Sequence, residues 1–188
     1  MLRKRLYGCL AAAAIATASM TALVADDGLN IRLRDDCDPA TFNADPPAGV
    51  GPGTCDEELG GGTTFADFLA EHAATGRVDK WRFNNDRAES DRNKPIVVTN
   101  RGGETHTFTR VAQFGGGFVP PLNALPGGGS LPLAPECAVA PGIPQPPSAG
   151  NLFVPAGGAA AAPGLRRGER AKFQCCIHPW MHSEITGK

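Results

Sequence analysis

The chain has 188 residues, 41% hydrophobic and 20% charged, with 24 Gly, 17 Pro and a formal net charge of −1. That length suits one domain with an appendage, its apolar fraction suffices for a core, and its Gly and Pro content implies long irregular connections. A near-neutral balance with no Lys/Arg run excludes the electrostatic footprint of a nucleic-acid binder.

Residues 1–25 read as a secretory signal. Arg3, Lys4 and Arg5 form a positive start, "LAAAAIATASMTALV" is the apolar stretch, and Ala25 ends a small-residue cleavage site. The rival reading is a membrane anchor, for which the stretch is weakly apolar and rich in Ala and Thr. Removal would take three positive charges from −1 and leave −4. The mature chain would be exported, periplasmic or extracellular, with no membrane span. It would keep five cysteines: Cys37, Cys55, Cys137, Cys175 and Cys176. Thiols pair in oxidising compartments, so an odd number leaves one over for other chemistry.

Residues 26–78 form an N-terminal extension. Residues 26–62 read as loop, where a Cys37–Cys55 disulfide is the simplest pairing and Cys137 a competing partner for either. "TTFADFLAEHAATG" predicts a short helix over about 64–75. Thr64 and Asp67 form a capping-box-like start, Phe65, Phe68, Leu69 and His72 share a face, and Gly76 ends it. His72 lies at the margin of that face, where a packed histidine is the commoner outcome.

From residue 79 the period changes to two. "KWRFN", "PIVVTN" and "THTFTRV" read as short strands, with "RGG" at 101–103 as the turn between the last two. The fold class expected for 79–188 is an all-β sandwich. Residues 115–164 interrupt it as a long Gly/Pro-rich insertion with no regular element except a possible strand at "NLFVP". "ERAKFQCCI" is the last clear strand. Its alternation puts Ala171, Phe173, Cys175 and Ile177 on an apolar face, and Lys172, Gln174 and Cys176 on the other. Cys175 should therefore face the core and Cys176 should face away.

Cys175, His178 and Met181 have the spacing C-x-x-H-x-x-M, with Pro179 stiffening the loop. One thiolate, two imidazoles and a weak axial thioether are the donor set of a blue-copper electron-transfer site. Zinc is disfavoured, because thioether is a poor zinc ligand. A second histidine must come from elsewhere: His106 follows the glycine turn, and His72 and His182 are the remaining candidates.

"GGETHTFT" followed downstream by "FQCCIHPWM" resembles the cupredoxins, and the loop is most similar to that of amicyanin, with plastocyanin more distant. The resemblance covers 79–115 and 165–188. It implies a Greek-key β-sandwich holding one copper ion, Cu(I) or Cu(II), through His106, Cys175, His178 and Met181. It implies single-electron transfer with a redox partner protein, by a monomer that is not an enzyme. It also implies that His178 reaches the surface as the electron port. Trp180 would then be either part of a docking patch or a core residue sealing the site. Thr107 stands where small cupredoxins often carry Asn, and its hydroxyl could tie the ligand loops together more weakly. A Cys137–Cys176 disulfide is compatible with this set and would leave Cys175 as the unpaired thiolate. The alternative function is copper carriage or buffering, although carriers tend to be Met- or His-rich. Four histidines are too few for a multicopper enzyme.

Overall fold

The computed structural model describes residues 28–138 and 150–188. The predicted signal, and part of the Gly/Pro insertion, lie outside the described residues. In chain order the elements are β1 (Asn30–Arg34), α1 (Pro39–Phe42), α2 (Phe65–Thr75), β2 (Arg82–Phe83), β3 (Arg87–Ser90), β4 (Ile96–Asn100) and β5 (His106–Val111). They continue with β6 (Asn151–Val154), β7 (Ala159–Ala162), β8 (Arg170–Gln174) and β9 (His182–Gly187).

The strands make two mixed sheets, in the orders β2-β1-β4-β7 and β3-β9-β8-β5-β6. β1 runs parallel to β4, and β3 parallel to β9; the other pairings are antiparallel. Strict alternation decides which face of each strand is buried. Ile31 and Leu33 point inward from β1, Ile96 and Val98 from β4, and Ser183 and Ile185 from β9. The apolar ones among these meet Phe83, Phe108 and Phe173 in one core between the sheets. Phe108 and Phe173 stack with ring centroids 4.3 Å apart. Each fully buried large apolar side chain contributes about 1.5–3 kcal/mol, so the sandwich is held chiefly by this layer.

The expected all-β sandwich is therefore present, and the expected helix is α2. Thr64 Oγ1 accepts from the Asp67 amide at 3.1 Å, and Gly76 closes the helix with φ 75°. Three local readings differ. Residues 26–62 contain β1, a full member of the first sheet, and the short α1. The insertion contains β7 as well as β6: four alanines with little intrinsic strand preference pair with β4 across Ile96–Thr99. Finally, β9 follows the strand expected to be last and lies between β8 and β3.

The disulfides are Cys37–Cys55 and Cys137–Cys176, which leaves Cys175 as the free cysteine among the described residues. The opposed faces predicted for the adjacent pair are found, but both sulfurs are buried. Cys175 belongs to the main core, whereas Cys176 lies with Val111, Ala134 and Cys137 in a second, smaller cluster. The described start of the Gly/Pro insertion packs against the outer face at the end of β8. Its Gly115 amide donates to Gln174 Oε1 at 3.0 Å, and the Phe118 amide to the Cys176 carbonyl at 2.8 Å.

Candidate metal centre

β5 begins at His106, and β8 ends one residue before Cys175. The two are antiparallel neighbours, so the start of one meets the end of the other at the same edge of the sheet. The chain then turns through residues 175–181. The Cys175 amide donates to the Met181 carbonyl at 2.9 Å, and the Met181 amide to the His178 carbonyl at 2.9 Å. That closed turn brings His178 back over Cys175. The sulfur lies 3.8 Å from His106 Nδ1 and 4.0 Å from His178 Nδ1. One donor atom from each of His106, Cys175 and His178 lies within 4.8 Å of the other two. His106 and Cys175 are fully buried, and His178 is 2% exposed. Met181 is buried on the same turn. His72 and His182 stay outside the cluster: His72 Nε2 contacts the Leu122 carbonyl at 3.2 Å, and the His182 ring stacks on Phe114 at 4.4 Å.

The Thr107 hydroxyl accepts from the Cys176 amide at 2.7 Å, and the Thr107 amide points at the Cys175 sulfur at 3.4 Å. These contacts tie the two ligand-bearing segments together, the task foreseen for that hydroxyl. With the His178 amide 3.5 Å from the same sulfur, two N–H groups face Cys175. They favour a thiolate over a thiol.

Each imidazole has a carboxylate on its other side. His106 Nε2 is 2.7 Å from Asp35 Oδ2, and both side chains are fully buried. His178 Nε2 is 3.5 Å from Glu104 Oε2, which also accepts from Trp81 Nε1. Burial by itself would lower the His106 pKa, but the Asp35 hydrogen bond and the Cys175 sulfur push it up to about 10. Burial would raise the Cys175 pKa; the facing imidazoles bring it well below the usual thiol value instead. Asp35 is likewise held below the usual carboxylate range, against its burial, by His106 and the Gly103 and Glu104 amides. Burial raises Glu104.

Neither acid was singled out from sequence. Asp35 is 71 residues from His106, in a stretch read as loop, and nothing local distinguishes it from the neighbouring surface acid Asp36. Glu104 lies in the turn before β5 and faces His178 from the distant C-terminal loop, so no local periodicity marks it either.

His178 was expected at the surface, and it is not there. α2 covers it: Phe68 lies edge-on to its ring at 6.2 Å, with Trp81 at 6.4 Å and Trp180 at 5.6 Å. Trp180 is half-buried, packs on His72 at 5.0 Å and donates to the Trp81 carbonyl at 3.2 Å. An apolar cleft of about 370 Å³ opens beside this cover, lined by Phe65, Leu69, Leu122 and Ile177 together with Glu104 and His178.

The donor set suits a soft, redox-active ion. A buried thiolate and two imidazole nitrogens converge, and the remaining nitrogen of each imidazole is turned towards a carboxylate. No protein-family model matches the chain, and no curated protein matches it. Solved structures that align with it include cupredoxins. A purple cupredoxin from Nitrosopumilus maritimus aligns with TM-score 0.38 and 9% identity, over 85% of this chain and 99% of that one. A reduced Cu(I) form of an amicyanin mutant at pH 4 aligns with TM-score 0.36 and 14% identity, over 64% and 89%. A second amicyanin mutant in its Cu(I) form gives 0.34 and 11% over the same shares. Likeness at this level carries no weight alone; the fold rests on the sheet topology above, and the chemistry on the three converging donors.

Proposed function

We propose that the protein is an exported type 1 copper protein that binds one ion through His106, Cys175 and His178, with Met181 as the weak axial ligand, and passes single electrons to and from a redox partner protein. The observation that carries this reading is the convergence of the Cys175 sulfur with two Nδ1 atoms at 3.8 and 4.0 Å in a dry interior. Bound copper would supply a one-electron couple. The chain's own residues hold the donors still, exclude water and keep the thiolate from pairing with another cysteine. Strands on both sides of the site resist the change of shape that a change of oxidation state favours, which keeps the reorganisation small.

Electron transfer is favoured over carriage because the site is closed. A carrier must hand its ion over, and that exchange needs a ligand near the surface. Here none of the three donors is more than 2% exposed. The partner's approach lies at the apolar cleft and Trp180, since the His178 ring is covered. Among the described residues no helix is long and apolar enough to cross a membrane; export itself rests on the leading segment of the sequence.

The test is to purify residues 26–188, add Cu(II) and record the intense thiolate-to-copper absorption. One equivalent of copper should bind, and reduction should bleach the band reversibly. Cys175→Ser should abolish it. A colourless protein, or copper that transfers rapidly to a chelator, would overturn the reading.

A further inference from the structure

Residues 28–78 lie outside both motifs that mark the centre, yet they place a side chain against it. Asp35 directly follows β1. Its Oδ2 meets His106 Nε2 at 2.7 Å and the Glu104 amide at 3.1 Å, and its Oδ1 accepts from the Gly103 amide at 2.9 Å. The carboxylate is thus immobilised on all sides. It reaches this position because residue 102 is glycine: a Cβ there would collide with the Asp35 carboxylate. On the opposite flank Glu104 faces His178 Nε2 at 3.5 Å.

We infer that Asp35, with Glu104 as its counterpart, is a positioning residue of the copper centre: the two carboxylates fix both imidazoles with Nδ1 towards the sulfur and lower the reduction potential of the bound ion. This rests on the copper reading above. Two consequences of the geometry support it. A carboxylate accepting from Nε2–H selects the tautomer whose Nδ1 lone pair is free, and it makes that nitrogen more basic. Fixed negative charge in a low-dielectric interior also stabilises a doubly charged ion more than a singly charged one. Both effects favour the oxidised state. The N-terminal segment is therefore a component of the centre rather than an accessory to it.

The experiment compares reduction potentials and Cu(II) spectra of the copper-loaded wild type with four variants. Asp35→Asn keeps the shape and removes the charge. Asp36→Asn removes the same charge one residue along, where the side chain instead meets Thr63 and Lys80. Asp35→Glu restores the charge, and Glu104→Gln tests the other flank. Asp35→Asn should weaken Cu(II) at least tenfold more than Cu(I), which for one electron is a rise of about 59 mV. Glu104→Gln should move the potential less and in the same direction, Asp35→Glu should fall back towards wild type, and Asp36→Asn should not move it. An unmoved potential in Asp35→Asn, or an equal rise in Asp36→Asn, would overturn the inference. Should Asp35→Asn fail to fold, the potential of Glu104→Gln decides. A wild type without the thiolate-to-copper band removes the copper reading itself, whereas a normal band with an unmoved Asp35→Asn potential removes only this inference.

Discussion

Without metal, the contact between the fully buried His106 and Cys175 favours imidazolium beside thiolate. The His106 pKa is raised from 6.5 to about 10, so the stability it contributes is complete below pH 6.5 and is lost as the pH rises through about 10. The Cys175 pKa is lowered from 9.0, so its contribution is present above pH 9.0 and is lost only as the pH falls through its depressed folded value. Copper needs the thiolate, which the lowered Cys175 pKa favours, and a neutral His106, which the raised pKa opposes. Metal uptake should therefore displace the His106 proton, and apparent affinity should strengthen about tenfold per pH unit until the pH approaches 10. Competition titrations against a chelator at a series of pH values measure that slope. A flat profile would show that the pair is not charged in the metal-free protein.

At the scale of elements, α2 acts as a cover. Phe68 is buried between Phe42, Trp81 and the His178 ring. Phe68→Ala should cost about 3–5 kcal/mol in denaturant unfolding. It should also speed reduction of bound copper by small hydrophilic reductants, because the His178 edge is then less shielded; stopped-flow mixing reads the rate, and an unchanged rate would mean the ring does not guard access. The helix was legible in sequence because its apolar spacing, cap and terminal glycine agree. The strand phase of β8 was equally legible, and it assigned the two cysteines to opposite faces. Four strands were not. β1, "NIRLR", does alternate, but over only five residues, and the Asp-, Gly- and Pro-rich run that follows masked it. β3, "RAES", has no apolar pattern. β7 is four alanines held by its partner. β9 turns Ser183 and Gly187 inward beside Ile185, so its alternation is faint. Three converging donors could be read from local motifs and strand phase. The Asp35 contact could not, because pairing β1 with β4 is a long-range event that no local pattern encodes.

Across the whole molecule, the Cys137–Cys176 disulfide pins the Gly/Pro insertion to the end of β8 and closes a separation of 39 residues. Replacing both cysteines with serine should lower stability by about 2–4 kcal/mol and leave the thiolate-to-copper band in place, as unfolding curves and absorption spectra of the loaded protein would show. Loss of the band would mean that the cover, as well as the core, sets the ligand geometry. The adjacency of Cys175 and Cys176 also constrains how the molecule can be made. To an oxidant, two neighbouring thiols on a nascent chain are equivalent; only docking of β8 separates them, sending one beneath the insertion and the other into the interior. Sheet assembly therefore selects the pairing, whether it precedes oxidation or directs later exchange. A chain that joins residue 137 to residue 175 first has its soft donor locked away until the neighbouring thiol at 176 displaces it by exchange, so the correct choice between two consecutive letters is made by the fold and not by their chemistry.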